Sequence, residues 1–594
     1  MKKLLLIVLV LTRLAANGQY FHHIYGTTDG ETLSDGINTN VLGLGHFLVG
    51  YAGQNGLSVS RTDVTGNVPG APYFNNWYQI SSSVTGVVVY VNESRAFELD
   101  NGAGFGIIGQ YQDPTASPYS GVFYLQLDRS GNVLNLFTYI PIGGGVAVEV
   151  VNVGGLHESI FTSGSNVYVS GTTTDGTSRL DPFAMMIDVN SGNLIWSGIY
   201  DLPTPSGSPG INFGRDISCS PYSPTGVKEV VLVGSTLDYS VSSSFDAYTL
   251  RLDANNGMPI TGFSDIYGTT TSNEEFYSIS IANSSAGGST GFVIGGYTDI
   301  NGTPDFWLMK TDQTLNTLWA SAFDYNGTSS TLNACTDVME RRNTSGNYEY
   351  YSAGYVYTGV LGNYDMLIIK TDDFGAGVSL GQFTYGDAKL DYGVAIDQYN
   401  GTSADGISFF GYREGATAPI INGHYDMYLV KSYFNGETPC NQKIDDVLTN
   451  SGPKQLTTYA ARRVDKLMNY ANFNWSVASA YDNNVCYSST VSGGSNARVA
   501  PVQEKGDKQA VVSPNPIQAG TNSIDVTIES ETATTANVAI YDMLGREYYN
   551  GTVNLAKGTN TMPIDISSAN MSAGTYTVRI NMNNENKTLL LMVK

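Results

Sequence analysis

The chain has 594 residues, and its 30 Lys and Arg against 53 Asp and Glu give a formal net charge of −23 at pH 7. Such an acidic chain repels phosphate backbones, so nucleic acid is excluded as an expected partner. With 67 Gly, 40 Tyr and only 14% charged residues, the composition favours short β-strands and tight turns, in several domains or a repeat fold.

The first residues have the pattern of a secretory signal peptide. A basic start precedes an apolar run over residues 4–11, and the small residues Ala16 and Gly18 stand just before Gln19. The run is too short for a membrane span, which takes about 20 apolar residues. We therefore expect cleavage after residue 18 and a mature chain that is secreted or displayed on the cell surface.

A repeated motif occupies residues 19–440. Its clearest copy joins Gly296-Tyr297-Thr298 to a strand that begins at Asp305. The copies begin 59 to 65 residues apart, at residues 56, 121, 181, 246, 305, 365 and 426. A second marker, the glycine of the preceding strand, is spaced by 57 to 63 residues, at Gly50, Gly109, Gly171, Gly234, Gly296, Gly354 and Gly411. Each unit holds about four short β-segments, which predicts an all-β fold with a seven-bladed β-propeller.

The ends of the repeat predict how the ring closes. The string Ile24-Tyr25-Gly26 at the mature N-terminus matches Ile266-Tyr267-Gly268 at the end of an outer strand, whereas the seventh repeat stops near Cys440 without its own copy. We expect the N-terminal strand to complete the seventh blade and so to cover an open sheet edge.

Acidic residues recur at two points of the repeat. Turns such as Asp128-Arg129-Ser130-Gly131-Asn132 lack the ligand series of a calcium loop and are interpreted as Asp-capped turns with a left-handed glycine. Four aspartates precede the third strand of successive blades and would form an acidic ring on one face: Asp246, Asp305, Asp365 and Asp426. They either ligate a cation or a sugar or cap the strand-entry turns, and both interpretations stay open.

Residues 441–510 are expected to form a connector between two domains. Apolar residues at helical spacing between Leu456 and Ala471 predict one amphipathic helix, and a Ser-, Gly- and Pro-containing linker follows. Cys440 and Cys486 flank this segment and are candidates for a disulfide bridge.

Residues 511–594 contain an ordered series of short motifs. They are Pro514-Asn515-Pro516, Tyr541-Asp542 with Gly545-Arg546, Gly558-Thr559-Asn560, and Gly574-Thr575-Tyr576. This series resembles the type A C-terminal sorting domain of type IX secretion substrates in Bacteroidetes bacteria. The resemblance implies a small immunoglobulin-like β-sandwich that directs passage across the outer membrane.

The resemblance also implies partners. These are the type IX secretion machinery and its sortase, with surface lipopolysaccharide as an anchor. The residues that would hold the recognised fold are Pro514, Asn515, Pro516, Gly545, Gly558, Gly574 and Tyr576. None of them is implied to be catalytic.

No catalytic, metal or cofactor motif is apparent in the propeller region. The five histidines do not show metal-ligand spacing, and we expect no cofactor and no metal. The favoured hypothesis is a binding or adhesion protein with a glycan or protein ligand, because propeller loops share one face. The alternative is a polysaccharide-active hydrolase or lyase, whose carboxylates would come from different blades and leave no local motif.

Overall fold

The structure is a computed structural model that describes residues 21–487 and 511–593, apart from short gaps that lie mostly between strands. Only the backbone is described for the strands between residues 442 and 487. The chain divides into two compact units, Met1–Gly494 and Ser495–Lys594. Every regular element in the described ranges is a β-strand, and no helix long and apolar enough to cross a membrane occurs there.

The first unit contains a main set of strands, which we call the inner strands, and a final series of short strands that follows them in the chain. The inner strands are β1 (Phe21–Gly26), β2 (Glu31–Thr39), β3 (Gly45–Ala52), β4 (Gly56–Asp63), β5 (Phe74–Ser82), β6 (Tyr90–Glu98), β7 (Gly104–Gln112), β8 (Ser120–Asp128), β9 (Val133–Gly143), β10 (Val146–Ala147), β11 (Glu149–Glu158), β12 (Asn166–Thr174), β13 (Leu180–Asp188), β14 (Leu194–Asp201), β15 (Ile211–Ser220), β16 (Glu229–Leu237), β17 (Asp246–Asp253), β18 (Ser264–Tyr267), β19 (Glu274–Ala282), β20 (Gly291–Thr298), β21 (Asp305–Thr311), β22 (Thr317–Asp324), β23 (Ala334–Arg342), β24 (Tyr348–Tyr357), β25 (Tyr364–Asp372), β26 (Gly377–Tyr385), β27 (Asp391–Asp397), β28 (Ile407–Glu414) and β29 (Tyr425–Ser432). The final series is β30 (Gln442–Ile444), β31 (Leu448–Ser451), β32 (Gln455–Tyr459), β33 (Arg462–Asp465), β34 (Leu467–Asn469), β35 (Phe473–Ser479) and β36 (Tyr481–Tyr487).

The inner strands form seven antiparallel sheets, which we number in chain order. Sheets 1 to 6 are β2–β5, β6–β9 with β10, β11–β14, β15–β18, β19–β22 and β23–β26, and sheet 7 is β27–β29 with β1. Four strands in each sheet follow one another along the path, apart from sheet 7, which takes its fourth strand from the N-terminal end. The repeated four-stranded unit is thus confirmed, and the arrangement is propeller-like.

Hydrophobic clusters join each sheet to the next. Between sheets 1 and 2, Phe47 stacks on Phe105 at 4.0 Å between ring centroids, and both side chains are fully buried. Comparable clusters lie at the following junctions, including one that joins sheet 7 to sheet 1 through Phe410 and Leu48. The apolar core is therefore divided among the junctions between neighbouring sheets, and the last sheet packs against the first.

The N-terminal strand closes this arrangement as the sequence predicts. β1 pairs antiparallel with β29, with Tyr25 opposite Met427. Tyr25 also donates a hydrogen bond from its hydroxyl to the carbonyl of Gly66, a turn residue of sheet 1, at 2.6 Å. The N-terminus thus supplies both the last strand of sheet 7 and a link to sheet 1.

The Asp-capped turns have the predicted geometry and take part in further links. Asp128 accepts hydrogen bonds at Oδ1 from the N–H groups of Ser130 and Asn132, at 2.8 and 2.9 Å, and Gly131 has a φ of 81°. The carbonyl of Gly131 accepts a hydrogen bond from Tyr78 of sheet 1 at 2.6 Å. Tyrosines of sheets 2, 3 and 4 bind the equivalent turn of the next sheet.

The connector contains strands where the sequence analysis predicts a helix, so that prediction is wrong. β30 to β36 add one outer strand to sheets 6, 5, 4, 3, 2, 1 and 7 in that order, each antiparallel. We call these seven strands the belt. An outermost strand exposes unpaired N–H and C=O groups, and pairing with them outweighs the local helical spacing of apolar residues.

The C-terminal unit consists of two sheets around one core. Its strands are β37 (Val511–Ser513), β38 (Ser523–Ser530), β39 (Thr534–Asp542), β40 (Glu547–Leu555), β41 (Gly558–Asp565), β42 (Gly574–Met582) and β43 (Glu585–Val593). The sheet orders are β37-β38-β41 and β40-β39-β42-β43. Val526 of the first sheet and Val578 of the second are both fully buried in the same cluster. The unit therefore has a core of its own.

Candidate ligand-binding cavity

The repeat glycines allow a bend in the innermost strand of every sheet. Each first strand contains a β-bulge, and the glycine of the second strand lies beside it. A Cβ on Gly234 would lie 1.8 Å from the carbonyl oxygen of Phe213, and one on Gly296 would lie 1.8 Å from that of Glu275. Only glycine fits at such an approach of two backbones. The marker found in the sequence is thus a requirement of the bulge.

The bulges direct side chains into a central cavity. At the bulges beside the marker glycines, the unpaired residues of sheets 1 to 7 are Ser34, Glu93, Gly154, Arg215, Tyr277, Thr336 and Val394. All of them line one cavity of about 280 Å³. A second cavity of about 230 Å³ continues on the other side of this ring and shares several of its residues.

Sheet 2 departs from the common pattern. In the other six sheets the residue opposite the marker glycine precedes the bulge, as Leu33 does opposite Gly50. In sheet 2 the residue opposite Gly109 is Ser94, which follows the bulge. The displacement places Glu93 at the bulge. Its φ of 25° is a left-handed backbone conformation that residues other than glycine rarely adopt. Strain of this kind is concentrated at functional sites in proteins.

The two cavities together form one central cavity, in which we call the larger part the tyrosine half and the smaller part the second half. Tyrosines line the tyrosine half on the side formed by sheets 5, 6, 7 and 1. They are Tyr51, Tyr277, Tyr355, Tyr392 and Tyr412. Tyr392 stacks on Tyr412 at 5.0 Å and meets Tyr355 edge to face at 5.2 Å. Burial raises the pKa of Tyr392 to about 12, so its hydroxyl stays neutral. Faces of this kind suit the C–H surface of a sugar.

Charged groups form the floor of the tyrosine half. Arg215 lies between Phe213 and Tyr277, at 4.9 and 5.1 Å from the two ring centroids, and donates a hydrogen bond to Glu275 at 3.1 Å. Glu93 is exposed within the cavity. Although its side chain faces the cavity space, the surrounding protein displaces water from around the Glu93 carboxyl and so raises its pKa, while the neighbouring arginines oppose that shift.

Arg95 divides the two halves of the cavity. Its guanidinium donates hydrogen bonds to the carbonyl of Gly154 at 2.8 Å and to the carbonyl of Ser34. It thereby ties the bulges of sheets 1 and 3 together from sheet 2, and it lines both cavities. Since these contacts are to main-chain carbonyls, they fix the floor against which a ligand would rest.

Aspartates dominate the second half and link neighbouring sheets. Asp337 accepts hydrogen bonds from the N–H of its own neighbour Val338 at 2.8 Å and from the N–H of Ile396 in sheet 7 at 2.9 Å. Asp397 in turn accepts one from the N–H of Asn38 in sheet 1 at 2.7 Å. Asp35 and Asp216 make the equivalent links at two other junctions. These carboxylates are therefore engaged in holding the ring.

The folded protein is expected to lose stability as the pH rises from about 4 to about 7. Burial raises the pKa of Asp337 and Asp397 to about 7 and that of Asp216 to about 6. An unfolded aspartate has a pKa of about 4, so in this window the folded state holds protons that the unfolded state has released. The free energy of unfolding then decreases with rising pH, which thermal unfolding midpoints across the window would measure.

A pair of variants separates this effect from other titrations. Asp337→Asn is expected to flatten the slope of the midpoint against pH. Asp128→Asn is the control, because the effect of burial on this turn residue is outweighed by hydrogen bonds that lower its pKa. A slope that is the same in Asp337→Asn as in the unmodified protein would contradict the assignment.

The four aspartates of the predicted acidic ring lie at the starts of third strands and not in the central cavity. The described lining of both cavities includes none of Asp246, Asp305, Asp365 and Asp426. A Cβ on Gly268 would lie 2.3 Å from Asp246 and 2.6 Å from Glu274, so this aspartate packs at a junction between sheets 4 and 5. Burial and the Glu274 charge raise the pKa of Asp246 to about 7. Cation binding by the ring stays a prediction.

Other predicted residues fall partly outside the described residues. Cys440 is not described, and Cys486 lies in β36, of which only the backbone is described, so the disulfide stays a prediction. Among the described residues, no three His, Cys, Asp or Glu side chains converge as a metal site.

Of the residues predicted to hold the fold of the sorting domain, some lie outside the described residues and some lie within them. Pro514, Asn515, Pro516 and Gly545 lie outside the described residues. Gly558 begins β41 with a φ of 105°, and Gly574 begins β42. Tyr576 is buried in the core and meets Tyr548 edge to face at 5.1 Å.

Sequence reasoning missed the cavity residues, although a signal for some of them was present. Four marker glycines are followed directly by tyrosine, and in three of those pairs, Gly50-Tyr51, Gly354-Tyr355 and Gly411-Tyr412, the tyrosine lines the cavity. The bulge residues themselves have no common residue type. They become visible only once the register of each strand pair is known.

Comparison with known proteins assigns the C-terminal unit. Residues 511–594 match the family model described as secretion system C-terminal sorting domain. This unit is a sorting domain. The chain is accordingly a type IX secretion substrate, exported to the cell surface or beyond, and the interaction of the sorting domain with the type IX machinery follows.

Matches to solved structures cover more of the chain at low similarity. A quinohemoprotein alcohol dehydrogenase of Pseudomonas putida HK5 is 9% identical with a TM-score of 0.30, covering 70% of this chain and 78% of the other. A glycoside hydrolase family 32 protein of Bifidobacterium adolescentis is 9% identical with a TM-score of 0.24, covering 97% and 94%. Dimeric latent PorU of Porphyromonas gingivalis is 9% identical with a TM-score of 0.13, covering 80% and 31%. No curated protein matches the chain.

Proposed function

We propose that this protein is an exported seven-bladed β-propeller that binds a glycan at the tyrosine half of its central cavity. Its immunoglobulin-like sorting domain carries it across the outer membrane after a signal peptide, residues 1–18, has been removed. The observation that carries the binding role is the convergence of five tyrosines from four sheets on one cavity. Binding of a host or environmental polysaccharide there would make the protein an adhesin.

The propeller assignment rests on three features. They are the seven equivalent sheets, the hydrophobic cluster at every junction, and the completion of sheet 7 by β1. The immunoglobulin-like assignment rests on the two sheets of the C-terminal unit and their common core. Attachment of the exported protein to lipopolysaccharide is part of the same proposal and is what the resemblance to type IX sorting domains implies.

Binding is favoured over hydrolysis by the carboxylates at the cavity. Glycoside hydrolysis commonly uses two carboxyl groups on either side of the scissile bond. Glu93 is the one acidic residue in the described lining of the tyrosine half. The aspartates of the second half are bound to main-chain amides.

Replacing a cavity tyrosine is expected to weaken glycan binding without unfolding the protein. Tyr392→Ala removes one ring from the cavity's tyrosine cluster, in which it stacks on Tyr412 and on Tyr364, and loss of one aromatic contact worth about 1.4 kcal/mol lowers affinity about tenfold. The measurement is the Kd of the full-length protein for members of a polysaccharide panel, with thermal unfolding recorded in parallel.

Phe374→Ala is the matched control, because Phe374 is an aromatic residue that is 80% exposed and does not belong to the described cavity lining. It should bind as the unmodified protein does. The proposal is overturned if no polysaccharide on the panel binds, or if Tyr392→Ala and Phe374→Ala have the same Kd.

A further inference from the structure

The bulge of sheet 2 is displaced by one residue from the position that the bulge beside the marker glycine has in the other six sheets. The displacement by one residue turns two charged side chains, Glu93 and Arg95, toward the cavity and leaves Ser94 fully buried. In sheet 1 the equivalent stretch contributes Ser34 and the linking residue Asp35 instead. A strained exception to a repeated framework is where a binding function is most often found.

The contacts of Glu93 set it apart from the other acidic residues around the cavity. Asp35, Asp216 and Asp337 each accept hydrogen bonds from main-chain amides of two sheets. Glu93 is exposed within the cavity and close enough to the charges of Arg95 and Arg215 for both to act on it. Its carboxyl oxygens are therefore open to hydroxyl donors of a ligand.

The charges around the tyrosine half balance one another. Arg215 is paired with Glu275, and Arg95 faces the same space as Glu93. One face of Tyr277 is occupied by the Arg215 guanidinium at 5.1 Å, so that ring does not offer a free cage for an ammonium group. A neutral ligand with many hydroxyl groups fits this balance better than a cation or an anion.

The size of the tyrosine half limits how much of a glycan enters it. Its volume of about 280 Å³ lies at the lower end of the range for small-ligand sites, roughly 300–1,000 Å³. Such a space holds about one sugar ring and not an extended segment of a polymer. The end of a chain, or a single-unit branch, is the part that fits.

We propose that Glu93 binds the hydroxyl groups of a neutral sugar at the end of a glycan chain, with Arg215 beside it and the tyrosines stacked on the sugar ring. This inference rests on the proposed glycan binding and specifies its ligand. The carboxylate accepts two hydrogen bonds from neighbouring hydroxyls, and the stacked rings hold the plane of the sugar. Glu93 is thereby the specificity-determining residue of the cavity.

The test uses a glycine that relieves the strain. Glu93→Gly removes the carboxyl group and at the same time places at φ 25° a residue that adopts positive φ readily. If Glu93 served the fold alone, this variant would bind as well as the unmodified protein. We expect a thermal unfolding midpoint that is unchanged or higher, together with a Kd at least tenfold weaker. Glu149→Gln, another acidic residue on an innermost strand but outside the described cavity lining, is the control and should leave both values unchanged.

Ligand class is tested on the full-length protein with methyl glycosides of neutral hexoses and with the corresponding amino sugars and uronic acids. Neutral glycosides are expected to compete with a bound polysaccharide, and affinity per chain end is expected not to change with chain length. Tighter competition by the charged sugars, affinity that grows with chain length, or unchanged binding in Glu93→Gly would each overturn this inference while glycan binding stands. Absence of binding to every polysaccharide would overturn the proposed function as well.

Discussion

Deletion of residues 511–594 is expected to abolish export and to leave the remaining protein in the periplasm. These residues are the sorting domain, and they have a hydrophobic core of their own, so the deletion removes a complete folding unit. Cell fractionation and protease accessibility on intact cells would measure the loss, which should be close to complete.

Two point variants define what the export machinery recognises. Val578→Asp places a charge in the fully buried core of the sorting domain and should unfold it, and we expect this loss of the folded domain to block export as the deletion does. Thr527→Ser retains the hydroxyl that bonds to Thr561 at the surface and should be exported normally. A truncated protein that reaches the surface in normal amounts would refute the sorting role.

A Gly296→Ala substitution is expected to destabilise the propeller-like unit by about 3 kcal/mol or more. The added Cβ would lie 1.8 Å from the carbonyl oxygen of Glu275 and 3.0 Å from the Cα of Phe276. Both contacts are to backbone, and the two strands pair with each other within sheet 5, so neither can withdraw without breaking the bulge. Denaturant unfolding of the full-length protein measures the change.

Gly302→Ala is the control for the loss of a glycine as such. Gly302 has a φ of 87° in a turn, and an added Cβ would meet no other atom within 4 Å. This variant therefore loses only the stability that positive φ costs an alanine, roughly 1 kcal/mol. Equal destabilisation by the two substitutions would show that the bulge geometry does not explain the repeat glycines.

Local chemistry and spacing made much of the fold predictable. Asp128 and Gly131 identify a turn by themselves, and the match of Ile24-Tyr25-Gly26 to an outer strand is enough to identify the closing strand. The glycine spacing identified the repeat but not the bulge, because a bulge depends on register between two strands and no single strand encodes it.

The belt and the residues of the cavity could not be predicted from the sequence, for a related reason. The segment around Leu456 has helical spacing, and only the presence of seven open sheet edges explains why it adopts strands. Glu93 and Tyr392 are about 300 residues apart in the chain and meet only in the closed ring. The predicted acidic ring did not identify the cavity. Its aspartates lie at the starts of third strands, whereas the cavity is lined mainly by residues of first and second strands.

The belt also determines how the protein would respond to a pulling force. If the exported chain is held at its C-terminal end, tension reaches β36 first, and β36 is paired with β1. The belt strands would then detach one at a time in the order β36, β35 and onward to β30, because each pairs with a different sheet. Each release lengthens the tether by a short step and dissipates work, which limits the peak load that reaches the inner strands lining the cavity. A surface protein built this way could yield under shear flow and still retain its ligand.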